Sequence, residues 1–299
     1  QGGMIWCSGW ELSSAVSNAG GLGLIGAGSM YPEILQEHIR KCKIATDKPF
    51  GVNLPLIYPD IEKHIKIIIN EGVKIVFTSA GSPKKWTSYL KKHGIKVAHV
   101  TSNMKFAKKS EASGVDAVVS EGFEAGGHNG KEEITTMCLI PNVSNNIKIP
   151  VIAAGGIGSG KAMLAAFSLG AEAVQVGSRF VASTECSAHI HFKEEVVKAK
   201  EGDTMLSLKE LTAVRLLNNP FYQKVLEAEQ RGDSIEKLKE LLGRGRAKKG
   251  MFEGDLTDGE LEIGQVSSMI SDIKSVKEII NEMIQEFNNE KDRLDKISL

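Results

Sequence analysis

PVIAAGGIGSGKAMLAAFSLGAEAVQVGSRF, residues 150–180, holds two short apolar runs that each stop at glycine, with a helix-like segment between them. The runs PVIAAGG (150–156) and EAVQVGS (172–178) are too short for helices and read as buried strands. The joining segment GKAMLAAFSLG ends in Gly, as a helix C-terminus favours. Strand, helix, strand at this spacing is a βαβ unit, and such units build parallel sheets. The same pitch runs back through GLGLIG (21–26), FGVNLP (50–55), KIVFTSA (74–80), KVAHVT (96–101) and DAVVSEG (116–122). Helix-like segments such as PEILQEHIRKCK, DIEKHIKIIINEG, PKKWTSYLKKHG and NMKFAKKSEASG separate them. That makes seven strands, and the opening QGGM reads as the C-terminal end of an eighth whose earlier part is cut away. Eight βα units predict an α/β chain folded as a (β/α)8 TIM barrel. A doubly wound open sheet is the alternative.

The pitch stops after about residue 185. FKEEVVKAKEGD, SLKELTAVRLLNN, FYQKVLEAEQRG and SIEKLKELLGRG read as short helices, followed by the polar connection RAKKGMFEGDLTDGELEIGQ. VSSMISDIKSVKEIINEMIQEF reads as one long amphipathic helix taking the place of the eighth outer helix. The expected division is a barrel of residues 1–195 plus 259–299 and a small helical cap subdomain, 196–258, on the substrate side.

Lys+Arg and Asp+Glu both number 37 in 299 residues, so no general nucleic-acid binding is expected. No apolar run approaches the ~18 residues of a membrane span, and no signal peptide is visible. Cys7, Cys42, Cys138 and Cys186 are far apart and form no CxxC pair. That spacing predicts neither a zinc site nor a disulfide framework, and a reduced, cytoplasmic setting. Cys7 is expected to be a small packing residue.

Barrel active sites gather at the C-terminal ends of strands. Those ends hold Gly3 and Met4, then Asn53, then Glu121 running into Gly126-Gly127-His128, then Gly155-Gly156, then Gln175-Val176-Gly177-Ser178. Glycines and small polar groups suit a broad planar ligand across the mouth. Gly155, Gly156, Gly177 and Ser178, in the turns after strands seven and eight, are placed to cradle a phosphate with backbone N–H groups. Within EGFEAGGHNG (121–130), His128 is the one side chain able to move a proton near neutral pH. Its alternative is a solvated histidine in a glycine turn. His38, His64 and His93 fall on helix-like segments and are expected to be solvated. His99 lies in a strand and could face either layer. His189 and His191 lack a third ligand nearby, so no metal is expected. Glu124 reads as a solvated carboxylate. Arg244, Arg246, Lys248 and Lys249 could meet an acidic carrier or nucleotide phosphates, with a solvated charge run as the plainer reading.

QGGM, FGVN, EGFEAGGH, PVIAAGGI and AVQVGSRF, in this order, closely resemble the flavin-dependent group containing bacterial enoyl-acyl-carrier-protein reductase II and nitronate monooxygenase. The specific motifs cover residues 1 to about 190, and a looser likeness continues through GRGRAKKGMFEGDLTDGELEIGQ. The resemblance implies FMN in the barrel mouth. It implies flavin contacts from Gly3, Met4, Asn53, Glu121, Gly126, Gly156, Gln175, Gly177 and Ser178, with Gly155 and Val176 in the same turns, and His128 as the catalytic histidine. Glu121 stands where many nitronate monooxygenases have Gln, which tilts the resemblance toward the reductase. That form implies NADH or NADPH as hydride donor, an enoyl substrate carried on acyl carrier protein or CoA, and a homodimer. The alternative is a nitronate monooxygenase using dioxygen.

Overall fold

The computed structural model describes residues 1–297. Its strands are β1 (Gly23–Gly26), β2 (Phe50–Pro55), β3 (Ile75–Ser79), β4 (Lys96–Thr101), β5 (Ala117–Glu121), β6 (Gly127–His128), β7 (Val151–Ala154), β8 (Ala173–Gln175), β9 (Thr204–Ser207) and β10 (Val214–Leu217). The helices are α1 (Trp10–Asn18), α2 (Pro32–Ala45), α3 (Ile61–Asn70), α4 (Lys84–Lys92), α5 (Met104–Ala112), α6 (Thr136–Ser144), α7 (Gly160–Ser168), α8 (Ser178–Val181), α9 (Ile190–Lys198), α10 (Pro220–Gln230), α11 (Ile235–Leu242) and α12 (Val276–Leu294).

Seven strands form one parallel sheet in the order β1-β2-β3-β4-β5-β7-β8. Neighbours follow chain order without the reversal that marks a doubly wound sheet. Residues 1–2 lie between the two edges. Gly2 donates its N–H to the Val176 carbonyl at 2.8 Å, and the Gln1 amino group donates to the Leu22 carbonyl at 2.9 Å. Leu24 N–H donates to Gln1 Oε1 at 2.8 Å. The curled sheet is thereby tied into a barrel of the (β/α)8 kind.

Alternation along the strands sorts the side chains into two layers. Leu24, Phe77, Ala98, Val119 and Ala154 are buried together inside the barrel. Ile25, Val52, Val76, Val97, Val118 and Val151 pack outward against the helices. Strand β2 turns Gly51 and Asn53 to the inside, because Leu24 pairs with Gly51 and Asn53 with Phe77. A Cβ on Gly51 would lie 2.8 Å from Leu24 Cδ2 and 2.9 Å from the Ile75 carbonyl, so this position requires glycine.

Helix α12 packs on α7 and α1, in the place of the eighth outer helix. A Cβ on Gly160 would meet the Met283 carbonyl at 2.2 Å, and the Phe167 and Phe287 rings lie 5.8 Å apart edge to face. The helix begins at Val276 and not within VSSMISDIK. Ser275 and Glu278 form a capping box there, and residues 265–269 make only a 3₁₀ turn. Of the barrel's expected C-terminal part, residues 298 and 299 lie outside the described residues.

The segment SLKELTAVRLLNN is not helical. Residues 204–217 form the β9–β10 hairpin, and β10 also pairs antiparallel with β6. Val214, Leu216 and Leu217 are buried by that pairing and by the bridge from Leu216 to Glu262. Long-range pairing outweighs the local helix preference of Lys209, Glu210 and Leu211. The histidine loop of the barrel is therefore stitched into a three-stranded sheet with the inserted hairpin. Among the described residues, no helix is long and apolar enough to cross a membrane. All four cysteines are free thiols.

Candidate active site

A cavity of about 910 Å³ opens at the C-terminal ends of the barrel strands. Gly3, Met4, Asn53, Glu121, Gly126, His128, Gly155, Gly156, Gln175, Gly177 and Ser178 all line it. Val176 does not. Its side chain is only 5 % exposed and sits in the core, while its carbonyl anchors Gly2. In strand β8 the alternation that turns Gln175 inward turns its neighbour away.

The glycines divide by what lies behind them. A Cβ on Gly3 would sit 2.1 Å from Asn53 Cβ, on Gly126 2.4 Å from the Ile263 carbonyl carbon, and on Gly155 2.6 Å from the Gly122 carbonyl oxygen. Those three close the protein against itself. Gly156 and Gly177 are different. A Cβ on Gly156 would meet only the Glu124 side chain, at 3.4 Å, and one on Gly177 only Met4 Sδ, at 3.6 Å. Side chains there would enter the cavity. Among the described residues, neither amide donates to a protein acceptor. Unspent N–H groups at two adjacent turns suit a phosphate, and Ser178 Oγ, which accepts from Gly264 N–H at 2.9 Å, still has its proton to give. Asn53 Nδ2 donates to the Gly3 carbonyl at 3.0 Å, leaving Oδ1 and a second N–H. These residues fit a planar ring system with a phosphate tail.

His128 is held on β6, where it pairs with Val214. Gly127, with φ +73, makes the turn that brings it there. His128 is exposed at the cavity, but desolvation by the enclosing cleft walls lowers its pKa, opposed by the negative charge of Glu260. Glu262, which sequence reasoning missed, lies against this loop. A Cβ on Gly127 would be 2.6 Å from Glu262 Oε2. Burial pushes Glu121 and Glu262 up to about 7, and burial together with the charge of Glu262 does the same to Glu260. Both Glu121 and Glu262 line the cavity.

The sign of the resulting pH dependence follows from linkage. A carboxyl held at about 7 in the fold, against ~4.3 in the unfolded chain, stabilises the fold while protonated. That stability is complete below about pH 4.3 and is lost as pH rises to about 7. Glu262→Gln should therefore show a smaller fall in thermal midpoint between pH 5 and pH 7.5 than the parent. An identical slope in flavin-free protein would show that Glu262 is already ionised in the fold.

Other side chains take places that the sequence reading did not give them. His64 is buried, with Nε2 2.9 Å from the Met30 carbonyl and Nδ1 3.1 Å from the Asp60 carbonyl. His38 is half-buried and accepts the Trp10 N–H at 3.1 Å at the start of α1. His93 is exposed, as expected. His99 faces the outer layer, 2.7 Å from Thr78 Oγ1, and burial lowers its pKa to about 4. Glu124 is not a free carboxylate, because its two oxygens accept the Thr136 N–H and hydroxyl at 2.9–3.1 Å. Cys7 is buried at the cavity wall, and a hydrogen bond with Cys186 together with burial pushes its thiol up. Such a thiol packs and does not attack. The His189 and His191 rings meet edge to face, with centroids 4.4 Å apart. Among the described residues, no three His, Cys, Asp or Glu side chains are grouped to hold a metal.

The basic run is mostly tied down. Arg246 donates to the Asp258 carbonyl at 2.9 Å and lies over the Phe221 ring. Lys248 pairs with Glu253 at 2.8 Å and Lys249 with Asp255 at 3.1 Å. None of the four lines the cavity.

The family model described as nitronate monooxygenase matches residues 1–286. Over 99 % of its length the chain superposes on FabK from Thermotoga maritima, with a TM-score of 0.94, 43 % identity and 94 % of that structure covered. It is 30 % identical to a Rhodococcus jostii protein named (3aS,4S,5R,7aS)-5-hydroxy-7a-methyl-1-oxo-octahydro-1H-indene-4-carboxyl-CoA dehydrogenase, across 95 % of this chain and 90 % of that one. It is 33 % identical to a probable nitronate monooxygenase of Staphylococcus saprophyticus, across 69 % of this chain and 71 % of the relative. With the glycine cradle, the barrel mouth and a match along nearly the whole chain in agreement, this protein belongs to the nitronate monooxygenase family of FMN-dependent oxidoreductases.

Proposed function

We propose that the protein reduces trans-2-enoyl thioesters, carried on acyl carrier protein or CoA, with NADH or NADPH as hydride donor. The charge of the inner cleft carries this reading. Glu121 and Glu262 line it, and the cavity's one Lys or Arg, Lys109, lies on α5. Above neutral pH, where Glu121 and Glu262 ionise, a nitronate anion would face two carboxylates with no Lys or Arg beside it, and like charges set together cost affinity. An enoyl thioester is neutral. The 43 % identity to FabK and the CoA thioester in a relative's name support the same side.

Gly156, Gly177 and Ser178 would hold the FMN phosphate, and Gly3, Met4, Asn53, Glu121, Gly126 and Gln175 would surround the ring. FMN held there would supply two-electron chemistry, relaying hydride between a nicotinamide and the β-carbon. His128 acts on the other end of the double bond. As a neutral imidazole it would donate an N–H to the thioester oxygen, where negative charge develops. A proton at the α-carbon, delivered from water, completes the saturated product. Residues 196–258, with β10 paired to the histidine strand, serve as the substrate-side cap.

Steady-state comparison tests the reading. At pH 8, where Glu262 is ionised, kcat/KM for crotonyl-CoA with NADH or NADPH should exceed that for an alkyl nitronate with dioxygen by at least about tenfold. A preference for the nitronate would reverse the assignment.

A further inference from the structure

The cavity does not end at the barrel mouth. Its wall continues past Ser82 and Ser102 onto one stripe of α5 and its C-cap, formed by Phe106, Lys109, Ser110 and Ser113. These positions are spaced i, i+3, i+4 and i+7, so they share one helix face. A stripe that faces a neighbouring strand and helix is ordinarily apolar and filled. Here Phe106 is 45 % exposed, and Ser110 and Ser113 fold their hydroxyls back onto the Phe106 and Lys109 carbonyls, each at 2.8 Å. The floor is polar as well, with His99 and Thr101 lining it. The result is a crevice continuous with the site of His128.

Charge is laid out unevenly along this continuous space. The inner end carries Glu121 and Glu262, and the crevice carries Lys109, the cavity's single Lys or Arg among the described residues. Among the described residues, Lys109 has no carboxylate partner, and its ammonium lies 5.9 Å from the centre of the Phe106 ring. An unpaired cation at one end and carboxyls at the other select a ligand with a neutral reacting head and an anionic far end.

We propose that this crevice along α5 receives the phosphate-bearing arm of a bound substrate, with Lys109 meeting the phosphate and Phe106 covering the apolar or aromatic part next to it. The inference rests on the thioester-reductase reading for its substrate. Two arms share this chemistry. One is phosphopantetheine, whose gem-dimethyl group would sit on Phe106. The other is the nicotinamide dinucleotide, whose pyrophosphate would sit on Lys109.

The test uses the holoenzyme and matched probe pairs. Affinity for 4′-phosphopantetheine and for pantetheine is measured by calorimetry. Apparent affinity for NADH and for reduced nicotinamide riboside is measured by anaerobic flavin reduction. The parent should favour the phosphorylated member of one pair by about tenfold. Lys109→Glu should abolish that preference, Lys109→Arg should keep it, and the affected pair names the arm. No preference in either pair, or a preference that survives Lys109→Glu, overturns the proposal. Both measurements stand apart from turnover. An enzyme that shows the lysine-dependent preference but reduces no enoyl thioester would keep the crevice and lose the reductase reading.

Discussion

His128→Ala should bind FMN as the parent does, keep its thermal midpoint and still accept hydride from NADH or NADPH, yet lose oxidation of the reduced enzyme by crotonyl thioester by about 10²–10⁴-fold. The reason is where the side chain stands. It is on a two-residue strand whose pairing with Val214 is made by the backbone, so truncation removes no ladder bond. No apolar cluster claims the ring, which is exposed at the cleft. Among the described residues, its ring nitrogens make no hydrogen bond to protein that truncation would orphan. Hydride transfer from the nicotinamide needs the flavin alone, whereas hydride arrival at the β-carbon needs the thioester oxygen stabilised. The half-reactions should therefore separate, and stopped-flow absorbance reads each one. Equal loss in both would mean that His128 holds the flavin and does no chemistry.

Gly156→Leu should give a folded protein that is nearly colourless, with FMN affinity reduced at least about a hundredfold. The backbone at Gly156 has φ +71, so any side chain costs about 1–3 kcal/mol of strain. That cost weakens the fold without abolishing it, because the new Cβ meets only Glu124 at 3.4 Å. The rest of the leucine has to go into the cavity, over the amide proposed to hold the phosphate. Gly155→Leu makes the internal comparison. Its Cβ would lie 2.6 Å from the Gly122 carbonyl oxygen and 2.8 Å from the Gly122 nitrogen, so it should damage folding itself. Absorbance of bound flavin against protein, set beside circular dichroism, distinguishes the two. Full flavin occupancy in folded Gly156→Leu would move the phosphate elsewhere.

The barrel was legible because parallel strands are buried on both faces and read as short, mainly apolar runs, which recur here at a regular pitch with helix-like segments between them. Every one of the seven runs contains its strand. The cap was less legible. In residues 204–217 local preference points to helix, and the hairpin arises from pairing with Gly127–His128, far back in the chain. The start of α12 was missed although Ser275 and Glu278 spell a capping box. The site residues that sequence reading named lie at strand ends, where a rule about barrels applies. The Val176 side chain lies in the core and not at the cavity, as strand alternation requires, since Gln175 and Val176 face opposite ways. Glu262 and Lys109 carry no such signal. One sits in a polar connection and the other on an outer helix, and only folding brings both to the cavity of His128. His64 likewise looked like a surface residue, and its burial depends on the Met30 carbonyl from another element.

The most direct test of the thioester-reductase assignment is an anaerobic double-mixing experiment on the flavin-loaded enzyme. NADH or NADPH is mixed first, and crotonyl-CoA second, with flavin absorbance followed throughout. The expected result is rapid bleaching by at least one of the two nicotinamides, then return of the oxidised spectrum on adding the thioester, with one butyryl thioester formed per flavin. The contradicting result is a flavin that neither nicotinamide bleaches, in an enzyme that takes up dioxygen when given an alkyl nitronate.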